Sequence, residues 1–147
     1  MQAAAEFCLT DVRCTAALGL DAWVEPVSDA VLAGLPVPFM LIQADHWVSD
    51  SGDNNSDRAR AIYEAGQTDS YLLIVAGAAH YDFTDLPLFS PLTPQLGLSS
   101  DIPSQHMAAM LNDYALAFFN RFLKGKNSEL LTGGTAVYPE ITFNHHP

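Results

Sequence analysis

The sequence predicts an α/β fold in which about three parallel strands with flanking helices make up part of an open sheet. Short apolar runs recur at Cys14 to Leu20, Phe39 to Ala44 and Tyr71 to Ala76, each the length of a strand buried on both faces. Helix-forming stretches lie between and after them, and such alternation joins parallel strands through right-handed crossovers. Each run ends at polar or turn-forming residues, where an open sheet gathers side chains from its loops.

Within the 147 residues, one domain is expected, with residues 127–147 as a C-terminal tail. The 49% hydrophobic and 16% charged composition supports a buried core rather than disorder, despite a formal net charge of -11. Six Lys and Arg stand against seventeen Asp and Glu, so phosphate backbones and anionic bilayers would be repelled and nucleic acid is excluded as an expected partner. No apolar run approaches the ~20 residues of a membrane span, and the first residues lack the layout of a signal peptide. Cys8 and Cys14 lack zinc-ligand spacing. They are expected as two buried thiols, with a local disulfide in an oxidising compartment as the alternative, since Cys8 on a helix and Cys14 opening a strand can stand beyond the ~7 Å reach between Cα atoms.

The elements follow in order. Ala3, Ala4, Ala5, Glu6, Phe7 and Leu9 favour a helix over 2–9, and no capping residue precedes it, so its start is expected upstream. The first strand follows at 14–20. Pro36 and Pro38 then punctuate the approach to the second. A helical stretch over 56–65 leads to the third. Between Tyr81 and Pro103 the prolines at 87, 91, 94 and 103 exclude a helix or central strand and predict an ordered loop. From Ser104 to Lys124, Met107, Met110, Leu111, Tyr114, Phe118 and Phe122 recur at helical spacing as one buried stripe, which Gly125 ends. The tail holds a β-like stretch at 140–143 but too little apolar content for another layer, and His145 and His146 read as a solvated tail.

Three polar residues stand just beyond the strands: Asp21 in LGLDAWVEP, Asp45 in LIQADHW and His80 in VAGAAHYDFTD. A carboxylate preceding a histidine in the chain is the order of an acid and a general base that assist a serine nucleophile. That serine normally sits earlier, in a G-x-S-x-G turn between a strand and a helix. No G-x-S-x-G occurs in these residues. Asp50, Asp53, Asn54 and Asp57 approach a calcium loop, but the Gly and closing Glu of that pattern are misplaced.

On these residues the chain resembles the C-terminal half of the platelet-activating-factor acetylhydrolase and dienelactone-hydrolase-like branch of α/β hydrolases. AAAEFCLTDVRCTAALGLDAW is similar to the helix after the nucleophile turn plus the acid-bearing strand. GAAHYDFTDLPLFSPL is similar to the histidine loop, and DYALAFFNRFLKGKNSELL followed by YPEITF to the closing helix and tail. The resemblance implies that Asp21 is the triad acid and His80 the general base, with Asp45 the rival acid. It implies hydrolysis of a carboxylic ester, such as a short sn-2 acyl chain of a phospholipid, with no metal or cofactor required.

Lacking the serine and its oxyanion hole, the chain alone is expected to be nearly inactive, since loss of a triad serine costs about 10⁶ in turnover. The alternative is a non-catalytic half-domain that binds a ligand or pairs with another chain through the exposed edge of its first strand. Without the resemblance, His80 reads as a loop histidine bonded to backbone. Trp23, Trp47 and Phe83 are candidates for the substrate pocket, although packing at the sheet rim accounts for them equally well.

Overall fold

The computed structural model describes residues 2–46, 54–133 and 137–147, so Trp47, Asp50 and Asp53 lie outside the described residues. Helix α1 (Gln2–Thr10) leads to β1 (Ala17–Leu20), the short helix α2 (Asp29–Leu32) and β2 (Phe39–Ala44). Helix α3 (Asn54–Glu64) precedes β3 (Ser70–Val75). A 3₁₀ turn (His80–Phe83), the short α4 (Leu86–Phe89) and the long α5 (Ser104–Lys124) follow. A second 3₁₀ turn (Glu129–Thr132) leads to β4 (Ile141–His146).

The described strands form one sheet in the order β1-β2-β3-β4. β1 pairs with β2, and β2 with β3, in parallel. All six residues of β2 are buried, as its continuous apolar run demands when both faces are covered. The two-residue strand period sorts its side chains. Met40 and Ile42 face one core with Leu73, Val75 and α5 residues Met107, Met110, Tyr114 and Phe118. Phe39 and Leu41 face the other, with Leu72 of β3 and with Val31, Ala59, Ile62 and Ala5 from the helices opposite.

Helix α5 spans the residues that its apolar stripe predicts. It stops because Gly125 adopts φ 65°, a left-handed conformation that glycine reaches without a Cβ penalty. The amides of Gly125 and Lys126 then donate to Arg121 and Asn120, satisfying carbonyls at the helix end. Gly34 also has a positive φ of 103°, and a Cβ there would stand 1.8 Å from the carbonyl oxygen of Ala65. That close approach lets the chain after α2 lie against the end of α3.

Some expectations need correction, whereas the β-like stretch of the tail is part of a fourth strand: β4 runs antiparallel to β3 with Leu73 opposite Phe143. Its alternation suffices because Ile141 and Phe143 reach the core already built by β3 and α5, so the strand extends a layer rather than needing its own. His145 is accordingly not in a solvated tail; it stacks on Tyr71 with ring centroids 4.4 Å apart and its Nε2 lies 2.8 Å from Asp69 Oδ1. Finally, Cys8 and Cys14 are joined in a disulfide with Cα atoms 5.0 Å apart. β1 starts only at Ala17, and the amide of Cys14 donates to the carbonyl of Asp11, so a tight turn brings Cys14 back alongside the helix. Neither α2 nor α4 was expected: Ser28 caps α2, its side chain accepting from the Val31 amide at 3.3 Å, and in the proline-rich segment Pro87 sits in the first turn of α4, where no helical N–H is lost.

Candidate active site

The carboxyl ends of β1, β2 and β3 share one rim of the sheet, and the loops leaving them carry Asp21, Asp45 and His80. Asp21 is the first residue beyond β1. Its φ of 41° is the one positive value among described non-glycine residues, a conformation that Asp tolerates better than most residues but at a cost of about 1 kcal/mol. The amide of Asp21 donates to the Ile42 carbonyl at 2.7 Å, carrying the ladder one step past the strand. The side chain thereby turns across the end of β2.

That side chain is fully buried, and its Oδ1 accepts from the Ala44 amide at 2.9 Å. Its Oδ2 lies 2.6 Å from His80 Nδ1. A buried carboxylate is tolerated when such donors replace water. Since an ionised carboxylate can only accept, the neutral imidazole carries its proton on Nδ1, and Nε2 retains its lone pair. The His80 side chain is 55% exposed, so one ring edge is anchored while the other is open to an incoming group.

Asp45 is occupied differently. Its Oδ2 accepts from the Gly77 amide at 2.9 Å, which ties the end of β2 to the turn after β3. Of the two candidate acids, Asp21 is therefore the one brought onto His80, and Asp45 supports the backbone that leads to it.

Further residues that sequence reasoning passed over hold this rim in shape. Asn55 is buried; its Oδ1 accepts from the amides of Val24 and Glu25 at 2.6 and 3.2 Å, and its Nδ2 donates to Ala22 at 3.2 Å. It thus holds both ends of the peptide stretch that follows Asp21. Asp82, also buried, accepts from the Ala79 amide at 2.8 Å and from the Ser100 amide at 3.1 Å, pinning the histidine loop to the approach to α5. Asp three residues after Ala79 was a local signal for such a turn; nothing in the sequence distinguished Asn55 from an ordinary residue in the first turn of a helix.

The expected pocket residues fall in separate places. Trp23 is 60% exposed and donates from Nε1 to Glu25 at 3.1 Å. Phe83 is half-buried; with Leu20, Leu88, Ala108 and Leu111 it lines a cavity of about 150 Å³ beside the histidine loop. Trp47 lies outside the described residues.

A parallel sheet whose carboxyl rim carries a carboxylate–imidazole pair is the arrangement found in the class of α/β hydrolases. The chain belongs to the family described as platelet-activating factor acetylhydrolase, isoform II, which its sequence matches over residues 2–135. Among solved structures it is similar to a ferulic acid esterase from Streptomyces cinnamoneus, with 26% identity and a TM-score of 0.75. That match covers 90% of this chain but 40% of the esterase, so the chain spans less than half the length of that relative. No curated protein matches.

Proposed function

We propose that Asp21 and His80 are the acid and general base of a serine carboxylic ester hydrolase whose nucleophile comes from outside these 147 residues. The observation that carries this reading is the 2.6 Å contact between His80 Nδ1 and the buried Asp21 carboxylate. It is supported by the family match and by the 40% coverage of the esterase, together with the lack of a G-x-S-x-G turn in the sequence. Asp45, the rival for the acid's role, is bonded instead to the Gly77 amide.

The chemistry follows from the proton positions. The Asp21 carboxylate holds the imidazole in the Nδ1–H tautomer and stabilises the imidazolium that forms during reaction. Nε2 takes the serine proton as the oxygen attacks the ester carbonyl, then returns it to the departing alkoxide. Water repeats the sequence on the acyl-enzyme and releases the acid. The reaction needs no cofactor. The acetylhydrolase family points to an acetyl ester, as in a short sn-2 chain of a phospholipid, and the similar esterase to an ester of ferulic acid. Trp23 and Phe83 are the candidates in this chain to contact such groups.

The 147-residue chain should hydrolyse p-nitrophenyl acetate no faster than its His80→Ala variant, and a fluorophosphonate that traps activated serines should leave it unlabelled. In a longer chain that supplies the serine, Asp21→Asn should lower kcat by about 10⁴, with Asp45→Asn changing it by less than about tenfold. Turnover by the short chain that disappears in His80→Ala would overturn the assignment of the nucleophile.

A further inference from the structure

At the end of the sheet opposite His80 lies a polar recess of about 180 Å³, lined by Asp69, Tyr71, Arg121, Ser128, Thr132 and His145 among others. β3 separates the two ends by about 17 Å at ~3.3 Å per residue, so the recess is no part of the hydrolytic site. It has room for several waters at ~30 Å³ each. The recess exists because β4 continues past Phe143 to His145, while the turn at Glu129–Thr132 packs against α5.

Two of its groups have unused hydrogen-bonding capacity. Tyr71 is only 3% exposed and lines the recess, yet its hydroxyl has no hydrogen-bond partner among the described residues. The hydroxyl is not among the fully buried polar atoms without a partner, so it reaches solvent at the recess. Arg121 donates from Nη1 to Asn127 Oδ1 at 2.5 Å, which fixes the guanidinium at the mouth. Its other N–H groups make no bond to the described residues.

The surrounding charge is unlike the rest of the molecule. In a chain of net charge -11, three of the six cations, Arg121, Lys124 and Lys126, stand within six residues at the end of α5. Asp69 is the opposing charge in the recess, and His145 Nε2 engages its Oδ1 at 2.8 Å. A fixed guanidinium fork beside a neutral hydroxyl donor matches a planar or tetrahedral oxyanion.

We infer that this recess binds a small oxyanion, a carboxylate or a phosphate, held by the Arg121 guanidinium and the Tyr71 hydroxyl. The inference does not depend on the hydrolase reading. Ser128 and Thr132 at the rim add hydroxyl donors within the same recess.

The test is an NMR titration of the 147-residue chain with potassium phosphate and, separately, potassium acetate, following the Arg121 Nε–H and the Tyr71 ring. Potassium chloride at matched ionic strength is the reference. Saturable shifts at both residues are expected with at least one of the two anions, and which one saturates assigns the chemistry. Arg121→Gln, at an exposed position that should not disturb folding, is expected to weaken the affinity at least tenfold, and Tyr71→Phe several-fold. Shifts that rise linearly without saturation, or that chloride reproduces, would mean an adventitious ion only and overturn the inference. So would an unchanged affinity in Arg121→Gln.

Discussion

At the scale of single residues, the molecule repeatedly uses a buried polar group to fix one stretch of backbone. Tyr138 shows the consequence for pH dependence. Its hydroxyl donates to Asp113 Oδ2 at 2.5 Å, and that bond, then burial and the nearby carboxylates, pushes the phenol up to about 12. Tyr71 is also pushed up to about 12, chiefly by burial. A phenol with a folded-state value above its ordinary 10.0 favours the folded protein in its neutral form. The stabilisation is present in full below about pH 10 and is lost as pH rises towards about 12. Urea midpoints should fall over that interval, and less steeply in Tyr138→Phe, which lacks the group; equal slopes would show that Tyr138 contributes nothing.

The two residues of the contact were legible as rim positions because each follows an apolar run, Asp21 after Ala17–Leu20 and His80 soon after Ser70–Val75. Which aspartate meets the imidazole was not, on residue type alone. That is decided by the positive φ of Asp21 and the Ala44 amide that receives its carboxylate, both products of tertiary packing.

Among the elements, those with a strong hydrophobic period needed no tertiary information. β2 and α5 occupy the spans that their apolar patterns predict. β4 was legible only in its first half, as the β-like stretch at 140–143, since its later residues Asn144 and His146 are polar and its inner ones find a core that other segments supply. The Cys8–Cys14 bridge was likewise hidden, because it depends on how tightly residues 11–13 turn. That turn holds an ion pair in which Arg13 Nη2 lies 2.6 Å from Asp11 Oδ2, and the bridge closes a separation of six residues. On a loop-entropy basis so short a closure stabilises the fold by about 2 kcal/mol. Cys8→Ser with Cys14→Ser should lower the unfolding free energy by that amount in urea, and reductant should do the same to the parent chain. A loss below about 0.5 kcal/mol would mean that native packing alone positions α1 against β1.

For the molecule as a whole, β4 covers one side of β3, whereas β1 pairs with β2 and with no other described strand. Its last residue, Leu20, is 40% exposed. An unpaired apolar edge is a template for another strand, and the notional partner is either a segment that precedes α1 in a longer chain or a second copy. The net charge of -11 opposes contact between copies, an effect that salt screens. We therefore expect the 15.9 kDa chain to elute as a monomer at low ionic strength and to shift towards larger species at about 0.5 M salt. Elution as a monomer at every salt concentration would show that the edge needs no partner.

The proposed hydrolytic mechanism rests on the pairing of one imidazole with one particular carboxylate, and the imidazole proton itself reports on it. In ¹⁵N-labelled protein at low temperature, a low-field proton signal attached to His80 Nδ1 should be present in the parent chain and in Asp45→Asn, and absent from Asp21→Asn. Persistence of that signal in Asp21→Asn, or its disappearance in Asp45→Asn, would contradict the assignment of Asp21 as the partner of His80.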